Sequence, residues 1–309
     1  FPFPTGSRMM SLSPICKEDY EMQKIRISTD STADIPKSLR DELNIKVLPI
    51  SLVTSQREYR DGYDIEPEEF YQILEQEEQV PSTAQVSMAV YNDLFEETLN
   101  EGYTDLIYIS INSKGSGSFQ AAKLSKNLFF DEHPEAMGKL KIHLVDSLNY
   151  SMTYGWAAIE AARMAAAGED VDQILVKTQD WIKHAKALLV PLDLRFVKKS
   201  GRVSAAAAFV GDAMGLKPAI TFVDGNSRVL TKIRGEKKLP QAIFDLVEAD
   251  REPDSPYFLA YTGNMEAFDR MKEVFDEKMD RAAEFNYPLG CVIATNAGPN
   301  SIAVVYKTK

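Results

Sequence analysis

Cysteine and histidine are scarce in this 309-residue chain: it has two cysteines, Cys16 and Cys291, and three histidines, His133, His143 and His184. The cysteines form no disulfide framework and have no zinc-ligand spacing, and the histidines lie far apart in sequence. A structural or catalytic zinc site is therefore not expected, and no EF-hand-like loop is present for calcium. Positive charge is also short, with 35 Lys and Arg against 46 Asp and Glu, a net charge of −11. A nucleic-acid footprint or an anionic-membrane surface needs a broad basic face, so neither is expected. No apolar run reaches the roughly 18 to 20 residues that span a bilayer, and no basic-then-apolar leader opens the chain. These absences predict a cytoplasmic chain with no transmembrane segment and no nucleic-acid partner.

What is present is ordinary globular material, 44% hydrophobic and 26% charged, enough for two domains. Residues 1–22 carry Pro2, Pro4, Gly6 and Pro14 without periodicity. They read as an extension, expected in part to be a cloning-derived addition. From Lys24 the pattern becomes strand, polar loop, helix. Strands are expected at Lys24–Ser28, Ile45–Val53, Asp105–Ser110 and Ile142–Val145, and helices at Pro36–Leu43, Pro67–Glu77, Ser87–Asn100, from Ser118, and Met152–Ala167. This alternation predicts an α/β fold: a Rossmann-like, mostly parallel sheet with flanking helices over residues 23–178.

Residues 179–309 read as an α+β domain. Its expected strands are Lys186–Pro191, Ala219–Val223, Arg228–Ile233, Tyr257–Tyr261, Leu289–Ala294 and Ile302–Tyr306. Asp224-Gly225-Asn226-Ser227 is a hairpin turn. Helices are expected at Ala205–Met214, Leu239–Ala249 and Met265–Met279.

Three loops of the first domain are dense in small hydroxyl residues: Thr29–Thr32, Ser82-Thr83-Ala84-Gln85 and Ser113–Ser118. Hydroxyls and backbone N–H groups at a helix start bind anionic oxygen without a cation. The ordinary meaning of each loop taken singly is a helix N-cap. Ser113-Lys114-Gly115-Ser116-Gly117-Ser118 lacks both P-loop spacing and G-x-G-x-x-G, and no G-x-S-x-G elbow supports a serine nucleophile. Asp30 suits an aspartyl nucleophile or metal ligand by type, yet Thr32 stands where a second carboxylate would be wanted, and an Asx-type cap fits better. A phosphoryl-transfer or hydrolytic enzyme using Asp30 and the Ser/Gly loops is the alternative these residues leave open. Lys198-Lys199-Ser200-Gly201-Arg202 and Arg234, Lys237 and Lys238 are two basic clusters, with Lys217 placed to aim at either; they read as solvated faces or as a phosphate or acidic-partner patch.

These loops resemble the DegV family, whose characterised bacterial members are the fatty-acid-binding subunits of fatty acid kinase. The resemblance spans about Lys24 to Lys307. It rests on Thr29-Asp30-Ser31-Thr32-Ala33-Asp34-Ile35-Pro36, Tyr59-Arg60-Asp61-Gly62, Ser82-Thr83-Ala84-Gln85-Val86-Ser87 and Ser116-Gly117-Ser118-Phe119-Gln120-Ala121-Ala122, then Val145-Asp146-Ser147, Lys199-Ser200-Gly201-Arg202-Val203-Ser204, Leu216-Lys217-Pro218 and Ala297-Gly298-Pro299. The resemblance implies a non-catalytic, cofactor-free carrier of one palmitate- or stearate-like fatty acid. Thr83 and Ser116 would hold the carboxylate and Gly117 would donate its backbone N–H. Ser31, Gln85 and Asn296 would surround the head group, and Lys199, Arg202 and Lys217 would form a patch at the mouth for a kinase subunit. The chain departs from the family pattern at Ala84, Val86 and Asn296, and lacks a histidine near Tyr261-Thr262-Gly263. That separates holding the lipid from handing it to a kinase. A 16-carbon chain buried at about 0.8 kcal/mol per methylene offers on the order of 10 kcal/mol before binding costs. Met152, Leu128, Phe129, Phe209, Met214 and Leu216 are the expected tunnel wall.

Overall fold

A computed structural model describes residues 23–77, 79–207 and 215–309. Phe209 and Met214 of the expected wall, and Cys16, lie outside the described residues, as does most of the helix expected at Ala205–Met214, of which Ser204–Ala207 is described.

Four parallel strands form the first sheet, in the order Lys46–Leu48, Ile25–Asp30, Asp105–Ser110, Lys141–Asp146. The two central strands are buried along almost their whole length. Helices cover both faces, and the buried polar residues of these strands, such as Ser28 and Thr29, hydrogen-bond to neighbouring backbone carbonyls. The expected α/β class with a parallel sheet is the observed one. Residues Ile45–Val53, expected as a single strand, divide at Pro49: Lys46–Leu48 joins the parallel sheet, while Ser51–Val53 becomes the centre of a small antiparallel sheet between Glu58–Arg60 and Ser82–Ala84. Proline has no N–H for a ladder and suits such a switch.

The second half holds a six-stranded mixed sheet in the order Asn226–Arg234, Leu216–Val223, Ala185–Pro191, Ser301–Lys307, Tyr257–Thr262, Asn286–Pro288. Asp224 and Gly225, with φ of 49° and 75°, form the tight hairpin turn that suits the twist of the flanking strands. Two expectations fail here. Leu289–Ala294 is not a strand; a helix, Cys291–Ala297, follows the short strand Asn286–Pro288. Most of its residues are buried, and a short apolar run carries no period that separates helix from strand. The cluster Lys198-Lys199-Ser200-Gly201-Arg202, expected as a basic loop, begins as the end of a helix, Leu194–Ser200, closed by Gly201 at φ 66°, a left-handed stop that glycine adopts at low cost.

The helix Met152–Ala166 packs against both large sheets, and Met152 through Ile159 are all buried. Its Trp156 ring lies 5.1 Å from that of Phe258 on the mixed sheet. Its Tyr154 hydroxyl donates to Asp30 Oδ1 at 2.7 Å at the end of the parallel sheet. At Gly155 an added Cβ would stand 2.2 Å from the Ala33 carbonyl oxygen, so this helix approaches the first parallel-strand turn more closely than any side chain allows. Among the described residues, no helix is long and apolar enough to cross a membrane.

Candidate functional site

The C-terminal ends of parallel strands are where open α/β sheets bind ligands. Here that end faces the mixed sheet across a cavity of about 200 Å³. Its floor comes from the strands Ala185–Pro191 and Ser301–Lys307, whose register pairs Ala187 with Val305 and Leu189 with Ala303. All four residues line the cavity. Each pair sets an alanine against a larger side chain, and the alanines alternate between the strands. Ile50, Ile111, Phe222, Leu289, Val292 and Ile293 complete the apolar wall.

One end of the cavity is polar, lined by Thr83, Gln85, Gly115, Ser116, Gly117, Arg202 and Asn296. Gly117 precedes the fifteen-residue helix Ser118–Glu132, and its carbonyl accepts from Ala121 N at 2.9 Å. Its own N–H has no partner among the described residues, as first-turn amides of a helix commonly lack one. The Ser116 hydroxyl lies 3.0 Å from Ser118 Oγ and accepts from Ser118 N at 3.3 Å. Thr83 sits in the edge strand Ser82–Ala84 opposite Leu52, and its hydroxyl has no partner among the described residues.

The loop that carries Ser116 is pinned from the mixed sheet. Asn112 Nδ2 donates to Tyr150 OH at 2.9 Å and to the Gly225 carbonyl at 2.8 Å, and Lys114 Nζ donates to the Asp224 carbonyl at 2.7 Å. Arg202 Nε donates to the Gly115 carbonyl at 3.2 Å. A Cβ at Gly115 would meet Tyr150 OH at 2.1 Å, and one at Gly117 would meet Gln85 Oε1 at 1.8 Å. The loop therefore passes close against Tyr150 at Gly115, and against the movable end of the Gln85 side chain at Gly117.

Six of the residues singled out from sequence thus come together: Thr83, Gln85, Ser116, Gly117, Arg202 and Asn296. Three do not. The Ser31 hydroxyl accepts from Ile50 N at 3.1 Å and supports the chain beneath the cavity rather than lining it. Lys217 belongs to the strand Leu216–Val223 rather than to the tight turn expected to aim it at the basic clusters, and its ammonium donates to the Leu192 carbonyl at 2.6 Å with Glu236 at 3.7 Å. Lys199 is exposed on the helix Leu194–Ser200 and is no part of the lining. The expected wall residues also sit elsewhere: Leu128 is 43% exposed, Phe129 packs on Phe95 and Phe130, Met152 is in the core, and Leu216 is outside the lining. The residues that do form the wall were hidden because their strands are apolar at nearly every position, which conceals which face meets the cavity.

Asp30 is fully buried and lies outside the lining. It caps the turn Ser31–Ala33, accepting from Thr32 N at 3.2 Å and from the Thr32 and Tyr154 hydroxyls through Oδ1; Oδ2 accepts from Ile111 N at 2.8 Å. Burial raises its pKa above the usual carboxylate range. With both oxygens occupied, it has no face for a nucleophilic attack. Asp61 is likewise buried and Asp34 half-buried, and desolvation, with the charge of Asp61 adding to it at Asp34, raises both. Asp34 accepts from Ser151 Oγ at 2.5 Å and Gly290 N at 3.1 Å, joining the first turn to the start of the helix Cys291–Ala297. The cavity thus combines hydroxyl and amide donors and the Arg202 guanidinium with a largely apolar lining, a chemistry suited to an amphiphile with an anionic head.

The profile of the family described as "Uncharacterised protein, DegV family" matches residues 24–309. The chain belongs to the DegV family. A DegV domain-containing protein of Caldanaerobacter subterraneus subsp. tengcongensis is 30% identical over 294 residues, covering 93% of this chain and all of that relative. Among solved structures, a DegV family protein from Thermus thermophilus, described by its fatty acid binding, superposes with a TM-score of 0.81 at 26% identity, covering 93% of this chain and 100% of that one. DegV from Bacillus subtilis, described as a fatty acid binding protein, does so with a TM-score of 0.77 at 26% identity over the same shares. The parallel sheet with its separate mixed sheet is the DegV fold.

Proposed function

We propose that this chain binds one long-chain fatty acid, palmitate- or stearate-like, with its carboxylate held by Thr83 Oγ1, Ser116 Oγ and the Gly117 N–H and its acyl chain in the apolar cavity. The observation that carries this reading is the pair of donors left without partners among the described residues, Thr83 hydroxyl and Gly117 amide, beside Ser116 in the lining of a largely apolar cavity. Both face the same largely apolar cavity, where unfilled donors suit a ligand's oxygens. Filled lone pairs let a carboxylate stay buried without a full counter-ion. Residues 23–178 supply the head-group grip and residues 179–309 the floor, the two acting as units that close on the lipid.

The protein is a carrier rather than an enzyme in this reading, and it presents the bound acid, at the Arg202 end, to a cytoplasmic fatty acid kinase for acyl-phosphate formation. Asn296, whose amide donates to the Val292 carbonyl at 2.8 Å, stands at that end.

Native mass spectrometry of the purified protein, delipidated and reloaded with palmitate, tests the binding step. One adduct per chain is expected, lost when Thr83 and Ser116 are both changed to alanine. Absence of any adduct on the unaltered protein overturns the reading.

A further inference from the structure

One phenol lines the cavity among the head-group residues: Tyr150, which is half-buried. Its oxygen lies so near the loop that a Cβ added at Gly115, the residue before Ser116, would stand 2.1 Å from it. Its ring is tilted against that of Phe222, another lining residue, with centroids 4.7 Å apart. The phenol oxygen is therefore held at the loop from two sides.

The hydrogen bonds around Tyr150 fix what it has left to give. Asn112 Oδ1 accepts from Lys114 N at 3.0 Å, and Asn112 Nδ2 donates to the Gly225 carbonyl at 2.8 Å. These two bonds set which end of the amide carries the hydrogens. The second Nδ2 hydrogen goes to Tyr150 OH, 2.9 Å away, so Tyr150 accepts in that bond. An amide nitrogen does not accept, and the phenol's own hydrogen is not used there. It has no acceptor among the described residues. Burial, the largest influence on this phenol, raises its pKa against the opposing pull of Asn112 and Arg202. At neutral pH it keeps the hydrogen it can donate.

The backbone beside Tyr150 is bent to hold it there. Ser151 has φ 58° and ψ −143°, a left-handed conformation that side chains rarely adopt and that persists where surrounding bonds over-determine it. Here Ser151 N donates to the Thr32 carbonyl at 3.0 Å, its hydroxyl donates to Asp34 Oδ2 at 2.5 Å, and the same hydroxyl lies 2.9 Å from Tyr287 OH. Tyr150 N donates to Asn149 Oδ1 at 3.0 Å.

We propose that Tyr150 is a further carboxylate-binding residue, its phenol hydrogen bonding a ligand oxygen alongside Thr83, Ser116 and Gly117. The inference deepens the fatty-acid reading and rests on it. An ionised carboxylate offers about four lone-pair sites. Thr83, Ser116 and the Gly117 N–H take three of them, and Tyr150 takes the fourth. Hydrogen bonds to an ionised acceptor are roughly twice as strong as those between neutral groups. Tyr150 therefore selects for an ionised head group over a neutral one on the same acyl chain.

Displacement of a fluorescent fatty acid from the whole chain, with palmitate and with hexadecanol as competitors, reads that selectivity. Tyr150→Phe keeps the ring against Phe222. It removes the donor and also leaves one Asn112 hydrogen without its acceptor, a structural loss that both competitors feel alike. Palmitate affinity should fall about ten- to a hundredfold, and hexadecanol affinity by a smaller factor, under about tenfold. Equal losses for the two would reduce Tyr150 to a support for Asn112, and an undiminished palmitate affinity would remove it from the site. Either result overturns the proposal and leaves fatty-acid binding standing. If Tyr150→Phe does not fold, a crystal structure of the unaltered protein with palmitate decides. A carboxylate oxygen is expected within about 2.5 to 3.0 Å of the Tyr150 oxygen, and a carboxylate seated beyond that reach overturns the proposal. Failure of the unaltered protein to bind palmitate overturns the fatty-acid reading as well.

Discussion

The turn after Ile25–Asp30 and the turn after Asp105–Ser110 are made of the same residue types at the same end of neighbouring parallel strands, yet they do opposite things. In the first, Asp30, Thr32 and Asp34 are bonded to protein donors and acceptors, with Ile111, Gly290 and the pair Ser151 and Tyr154 reaching in from three separate segments. In the second, Ser116 and Gly117 keep capacity facing a cavity while their loop is pinned from behind by Asn112, Lys114 and Arg202. Saturation marks a turn that holds the fold; rigid support with unfilled donors marks a turn that holds a ligand.

The comparison breaks most readily at Asp30. Asp30→Ala leaves the Thr32 and Ile111 amides and the Tyr154 hydroxyl buried without an acceptor, and urea unfolding should show a loss of about 3 to 5 kcal/mol. The double change of Thr83 and Ser116 to alanine should do the reverse. It should leave stability within about 0.5 kcal/mol while weakening palmitate binding by roughly a hundredfold or more, since each charge-assisted hydrogen bond is worth about 1.5 to 3 kcal/mol. A displacement assay with a fluorescent fatty acid reads that loss, and an unfolding midpoint that fell with the affinity would mean the second turn is structural too.

Two glycines sharpen the contrast at smaller amplitude. Gly155→Ala places a methyl 2.2 Å from the Ala33 backbone oxygen and should cost about 1 to 3 kcal/mol. Gly117→Ala meets only the movable Gln85 amide, so thermal unfolding should barely register it while palmitate affinity drops. A pH series probes the first turn from another side. Asp34 has a folded-state pKa raised well above its usual 3.8. The native state therefore holds the extra proton, and this group's contribution to stability is complete below about pH 3.8 and is lost as pH rises through the raised value. Asp34→Asn should flatten that decline in urea midpoints measured across the range. The smallest effect is expected at Arg202: alanine there removes one exposed contact to Gly115 and should lower affinity by less than about tenfold with stability unchanged.

The sequence made the parallel sheet readable because short strand-like segments, alternating at Lys24–Ser28 and apolar at Leu106–Ile109, are each followed by a polar loop and a helix. It marked the loops of Thr83 and Ser116 only as hydroxyl-rich, and the resemblance to the DegV family singled the two residues out. It did not separate them from Ser31, which has the same chemistry; only the Ile50 N–H resting on its oxygen does that. Nor could it reveal the floor of the cavity. In Ala185–Pro191 and Ser301–Lys307 nearly every residue is apolar or small, so the face that meets open space is fixed by which strand lies beside which, a long-range fact. The segment Leu289–Ala294 misled for a related reason, as buried β-branched residues fit a short helix wedged between layers as well as they fit a strand.

The diagonal placement of Ala187 and Ala303 across that floor has a practical side. The cavity's capacity is written into two methyl-sized positions on adjacent strands, neither touching the head-group loop. Enlarging one of them to leucine would shorten the container without altering its latch, and changing Val305 or Leu189 to alanine would lengthen it, so a set of vessels graded by acyl length is accessible from this one scaffold by single substitutions.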